Sequence, residues 1–230
     1  MHVLVRRCRR ASVALCLVLG ATRAHAQPAP ADTGRFEPEI RQFEQLDRQT
    51  PPPRDAVVFV GSSSIRMWCT LDRDFPTLRV VNRGFGGSEM GDVVHYTARI
   101  VLPYAPRTVV VYAGDNDLMA GKTPADVHDA YRRFTAMVHE RLPGTRLVYV
   151  SIKPSPSREK LLPQVRATNA LLRADARRDS LITYADVYTP MLDRAGRPRR
   201  ELFGADMLHM NSSGYAIWRT VLAPLLTASR

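Results

Sequence analysis

Five short runs of apolar, largely β-branched residues recur along this chain, and stretches with helical spacing separate them. That alternation constrains the fold more than any other feature. The runs cover residues 56–60, 78–81, 108–112, 146–150 and 181–185. Several are apolar at every position, as expected of strands covered on both faces, and parallel sheets are covered in this way because their crossover helices lie over them. Helical patterns fill residues 92–101, 124–141, 161–178 and 213–227. Pro124 after Thr123 and the pair Asn211-Ser212 supply helix starts. The pattern predicts one doubly wound α/β domain over residues 56–230, without internal repeats. Residues 27–55 form a lead-in, in which Phe36, Ile40, Phe43 and Leu46 make a helical stripe. Pro51-Pro52-Pro53 then stops the helix with a stiff, extended connector.

Residues 1–26 read as a cleaved export signal. A basic start (Arg6, Arg7, Arg9, Arg10) precedes an apolar centre from Ala11 to Leu19, and Ala24-His25-Ala26 gives small residues at a cleavage site. The apolar centre is too short to span a bilayer, so a periplasmic or secreted protein without stable membrane insertion is expected. Cleavage leaves 204 of the 230 residues, enough for one domain with a proper core. It also removes five arginines, lowering the formal charge from +11 to about +6. The remaining arginines are scattered without interleaved aromatics or a nucleic-acid motif, which favours a solvated basic surface over a nucleic-acid partner. Cys8 and Cys16 leave with the signal, so Cys69 cannot form an intrachain disulfide, and beside Trp68 it is expected to be buried.

Open parallel sheets bind ligands beyond the carboxyl ends of their strands. Four polar clusters fall there: Gly61-Ser62-Ser63-Ser64, Asn82 to Ser88, Gly114-Asp115-Asn116-Asp117 and Ser151 to Pro156. A fifth, Asp206-Met207-Leu208-His209, precedes the last helix. A serine attacks only when a base takes its proton. Of the histidines outside the signal, His128 and His139 are expected in solvent, and His95 has only Asp92 nearby to orient it. Asp206 stands one turn before His209 and can reach one ring nitrogen while the other faces a serine. An Asp-x-x-His spacing taken alone is a weak signal and favours a helix-start acid beside an ordinary histidine. Oxyanion donors are available in the Asn116 amide, the backbone at Gly86-Gly87 and the N–H of the serine itself, backed by the dipole of the helix it begins. Tight turns and an Asx-turn account for the same residues without catalysis. Arg66 and Lys153 either favour an anionic group near the site or are plain surface charges. Asp115, Asp117 and Asp206 lack metal-ligand spacing, and Gly-x-Ser-x-Gly, a P-loop and a dinucleotide fingerprint are all missing.

Taken in order, VFVGSSSI, VNRGFGG, YAGDNDL and DMLHMN resemble the four blocks of the SGNH hydrolases, also called GDSL-type esterases and lipases, over residues 57 to about 215. The resemblance implies a three-layer α/β/α sandwich with a flavodoxin-like, five-stranded parallel sheet. It implies Ser63 as nucleophile, two residues after Gly61, with His209 as base and Asp206 orienting it. It also implies an oxyanion hole of Ser63 N–H, Gly87 N–H and the Asn116 side chain, with no metal or cofactor. Ser62 stands where the family name has Asp, and Ser88 where many members have Asp after Gly-Gly; the Gly-Ser-Ser-Ser-Ile form is similar to a recurring variant. The expected substrate is a small-molecule or polysaccharide acyl ester, short-chain and foremost acetyl. An O-acyltransferase using the same acyl-enzyme is the alternative, and a non-catalytic binding protein would be expected to have lost part of this set.

Overall fold

The structure, a computed structural model, describes residues 33–227. Its centre is a parallel sheet of five strands: β1 (Val57–Gly61), β2 (Val80–Gly84), β3 (Thr108–Tyr112), β4 (Arg146–Val150) and β5 (Ile182–Ala185). Their spatial order is β2-β1-β3-β4-β5. β1 and β3 are buried at every residue, which is why their sequences carry no polar alternation. Alternate side chains enter two cores. Val60, Val109, Val111, Leu147 and Tyr149 face one, while Val57, Phe59, Val110, Tyr112, Val148 and Val150 face the other.

The first core is closed by α1 (Glu37–Gln49), α4 (Met90–Ile100), α6 (Pro124–Arg141) and α7 (Leu162–Ala176). The second is closed by the single turns α2 (Ser63–Arg66) and α3 (Leu71–Asp74) and by α8 (Ser212–Thr227). One further short helix, α5 (Asp115–Met119), follows β3. The result is the expected three-layer α/β/α arrangement. Thr123 caps α6, accepting from Asp126 N at 3.2 Å, and Pro124 begins it. Of the lead-in stripe, Phe36 and Ile40 are buried and Phe43 is partly so, but Leu46 stands exposed. Arg99 of α4 reaches across to Glu37 and Glu44 of α1 at 2.7 Å each.

β2 runs to Gly84, three residues beyond the expected 78–81. Asn82 and Arg83 read as loop, yet both have partners that make strand placement affordable. The Asn82 amide donates to Ile65 O at 2.7 Å, and the buried Arg83 guanidinium pairs with Asp47 and with the Tyr104 hydroxyl. Residues 1–26, and with them the expected export signal, lie outside the described residues.

The strand order fixes where a site can form. The chain goes from β1 outward to β2, then crosses back to β3 on the other side of β1. The loops after β1 and β3 therefore part in opposite directions and leave a crevice between them. Gly61 is level with Gly84 of β2 and with Tyr112 of β3, so all three strands deliver their loops to that crevice at one height.

Candidate active site

Gly61 ends β1 in a backbone conformation that only glycine adopts easily, with φ +139°. A Cβ there would lie 1.8 Å from Tyr112 O. Ser62 N donates to that same carbonyl at 3.0 Å, and the chain turns directly into α2. Burial then separates the three serines. Ser62 and Ser64 are buried and their hydroxyls lack protein partners among the described residues. Ser63 is partly exposed, and its Oγ lies 3.0 Å from His209 Nε2. Trp68, packed on Trp218 and Tyr215, anchors the far end of this turn, and the Tyr215 hydroxyl donates to Ser64 O at 3.0 Å.

His209 and Asp206 share a tight turn. Asp206 Oδ1 accepts from Leu208 N and His209 N at 3.0 Å each, and Oδ2 lies 2.5 Å from His209 Nδ1. These backbone N–H groups, followed by the imidazole bond, hold the Asp206 carboxyl well below the usual carboxylate range. An ionised carboxylate only accepts, so in the neutral ring Nδ1 carries the proton and Nε2 presents a lone pair to Ser63. Met207 takes a left-handed φ of +54°, and its carbonyl accepts from Ser157 N at 3.0 Å. That bond ties the turn to the loop after β4.

The two other expected oxyanion donors flank the same crevice. Gly87 has φ +79° and open space where a side chain would stand. Its N–H, like that of Ser63, has no protein acceptor among the described residues. Asn116 Nδ2 donates to Ser88 O at 3.0 Å, leaving its second amide hydrogen free, while Oδ1 accepts from Arg158 Nη2 at 2.9 Å. Asp117, pushed up by burial, accepts from Met90 N at 2.9 Å and from Lys122 at 3.1 Å, lacing the loops after β2 and β3 together. Because α2 is a single turn of four residues, the expected backing by a helix dipole reduces to the local Ser63 N–H.

Several expectations are corrected. Lys153 is not a surface charge: it is buried, with Nζ 3.1 Å from Asp115 Oδ2 and 3.2 Å from the Tyr112 hydroxyl. His128 and His139 are half-buried, because His128 pairs with Asp175 of α7 at 2.7 Å and His139 meets Thr145 O at 3.2 Å. His95 is exposed and packs edge-on against Tyr96 without a bond to Ser63. Cys69 is exposed, since Trp68 takes the interior position beside it. Arg66 is exposed as well and lies against the Gly86 backbone without an ion-pair partner among the described residues. Among those residues no three His, Cys, Asp or Glu side chains gather as a metal site requires, and no helix is long and apolar enough to cross a membrane. Arg158 was missed altogether. It lies 42 residues from Asn116 in an irregular 3-10 segment, where no spacing rule connects the two.

The profile of the GDSL-like Lipase/Acylhydrolase family matches residues 60–217, most of the described chain and all five clusters. The chain belongs to that family. It is accordingly an ester-cleaving acylhydrolase by class. Solved GDSL structures share the fold at low identity. A candidate platelet activating factor from Streptococcus pneumonia superposes with a TM-score of 0.74 at 19% identity, covering 84% of this chain and 94% of its own. A GDSL-like lipase from Bacteroides thetaiotaomicron gives 0.71 at 18%, covering 81% and 96%. A catalytic mutant of an acetylxylan esterase from Geobacillus stearothermophilus gives 0.64 at 12%, covering 77% and 96%. No curated protein sequence matches this GDSL chain significantly.

Proposed function

We propose that this acylhydrolase is an exported serine esterase that releases short acyl groups, acetyl foremost, from small-molecule or polysaccharide esters. The observation that carries the mechanism is the relay from Asp206 through His209 to Ser63, at 2.5 and 3.0 Å. Ser63 Oγ attacks the ester carbonyl carbon as its proton passes to His209 Nε2. The carbonyl oxygen becomes an oxyanion facing Ser63 N–H, Gly87 N–H and the free amide hydrogen of Asn116. Collapse breaks the ester bond, and the departing alkoxide takes the proton from Nε2. Water, deprotonated by the same nitrogen, attacks the acyl-enzyme, and the second collapse returns the proton to Ser63 and releases the acid.

The acetyl preference follows the likeness in fold to the acetylxylan esterase described above. Export is supported by the sequence of residues 1–26.

The test is hydrolysis of p-nitrophenyl esters from acetate to palmitate by the wild type and by Ser62→Ala, Ser63→Ala and Ser64→Ala. Acetate is expected to be cleaved fastest and Ser63→Ala to lose nearly all turnover. Ser62→Ala and Ser64→Ala remove hydroxyls without protein partners and are expected to keep most of it. Full activity in Ser63→Ala would refute the mechanism, and rates rising toward palmitate would refute the acyl preference.

A further inference from the structure

Behind Asn116 lies a buried charge cluster that the mechanism above does not use. Asp115 Oδ2 is 3.1 Å from Lys153 Nζ and 3.1 Å from Arg158 Nη1. Lys153 and Asp115 are buried, and Arg158 nearly so. Burial alone would raise the Asp115 carboxyl, but the charges of Lys153 and Arg158 outweigh it and hold the group below its ordinary range. Two cations thus face one carboxylate. Arg158 shares that carboxylate with Lys153, whose own charged form burial disfavours. Its other nitrogen, Nη2, donates to Asn116 Oδ1 at 2.9 Å.

We propose that Arg158 is a positioning residue for the esterase reaction, fixing and polarising the Asn116 amide as an oxyanion donor. The inference rests on the reading of Ser63 and Asn116 given above and goes one step behind it. The orientation follows from donor and acceptor types. An amide rotated by half a turn would set its NH2 against the Arg158 guanidinium and its oxygen against Ser88 O, losing both bonds. Arg158 therefore decides that Nδ2 lies at the Ser88 end. Polarisation follows from charge: a cation bonded to Oδ1 draws electrons from the amide and makes its N–H a stronger donor. The Arg158 charge stands behind the amide whose N–H faces the developing oxyanion, so its pull on that N–H counts for more in the transition state than with bound substrate. The segment also touches the base, because Ser157 next to Arg158 donates to Met207 O in the Asp206–His209 turn.

The test is a double-mutant cycle on p-nitrophenyl acetate with Arg158→Met, Asn116→Ala and the double variant, with Arg158→Lys alongside. Asn116→Ala is expected to lower kcat about 100- to 1,000-fold, as removal of one oxyanion donor does. Arg158→Met is expected to lower kcat about 10- to 100-fold with KM within about twofold, since it weakens that donor without deleting it. In the Asn116→Ala background the same change is expected to cost less than about threefold, because its route to the substrate is already gone. Equal losses in both backgrounds, no loss in either, or a raised KM at unchanged kcat would each overturn the proposal. If Arg158→Met does not fold, Arg158→Lys carries the same cycle, with a smaller loss that must again vanish without Asn116. Failure of the underlying reading looks different: Ser63→Ala or Asn116→Ala would then retain wild-type turnover.

Discussion

Replacing Asp206 by asparagine is expected to harm turnover more than replacing it by alanine. In the native turn Oδ1 accepts from two backbone N–H groups while Oδ2 meets His209 Nδ1. An asparagine keeps its oxygen on the two N–H groups, because a flip would give up two hydrogen bonds of about 1 kcal/mol each. That preference of about 2 kcal/mol, or about 30-fold, aims the amide NH2 at Nδ1. Nδ1 must then accept, the ring proton moves to Nε2, and Nε2 no longer receives the Ser63 proton. Both variants also lose the charged hydrogen bond that steadies the imidazolium, worth about 1.5–3 kcal/mol. The Asp206 side chain is 51% exposed, so water softens that loss and the lower half of the range applies. Asp206→Ala should therefore reduce kcat about 10- to 50-fold, and Asp206→Asn about 10³-fold, at about 1.4 kcal/mol per tenfold. Steady-state kcat on p-nitrophenyl acetate near neutral pH measures both, with circular dichroism confirming that the fold persists. Asparagine equal to or milder than alanine would show that the turn does not dictate the tautomer.

Gly84→Ala would place a Cβ 2.2 Å from Arg66 N, in the turn that carries Ser63. It is expected to cost about 1–3 kcal/mol in denaturant unfolding and to lower kcat, and an unchanged unfolding midpoint would contradict the packing described. Glu37 bonds first to Arg99 and then to Arg41, which lowers its carboxyl from 4.5 to about 2. A depressed folded value means that the stabilisation is present above pH 4.5 and is lost as pH falls toward 2. The melting temperature of the wild type should thus exceed that of Glu37→Gln above pH 4.5 and converge with it near pH 2; a constant gap would refute the assignment.

The sheet was legible because burial on both faces leaves its mark residue by residue: β3 and β4 match runs of Val, Leu and Tyr without polar interruption. β2 was legible only in part, since Arg83 enters a strand when Asp47, far away in sequence, neutralises it. At the site, Gly61 and Ser63 could be read because a short, strained turn needs particular residues at fixed offsets. Asp206 and His209 could be read for the same reason, being joined by a single turn. Lys153 and Arg158 could not. Their meaning depends on Asp115, which comes close only once β3 and β4 pair. Cys69 was misjudged because one residue decides whether Trp68 or its neighbour points inward.

The turn that joins Asp206 to His209 also divides the site by how its parts are held. Ser63 and Asn116 hang from β1 and β3 at the centre of the sheet, whose amides are released only when the domain itself gives way. The acid–base pair hangs from a loop, fastened by the Gly204–His209 backbone bond, the Phe203–Met210 bridge and the Ser157 tether. Releasing those few bonds would carry base and carboxylate away together, still bonded to each other, with the nucleophile left in place. The catalytic geometry thus depends on these loop bonds as well as on the sheet. Turnover lost at a lower denaturant concentration than the circular-dichroism signal is the expected mark of that division, and coincident losses would contradict it.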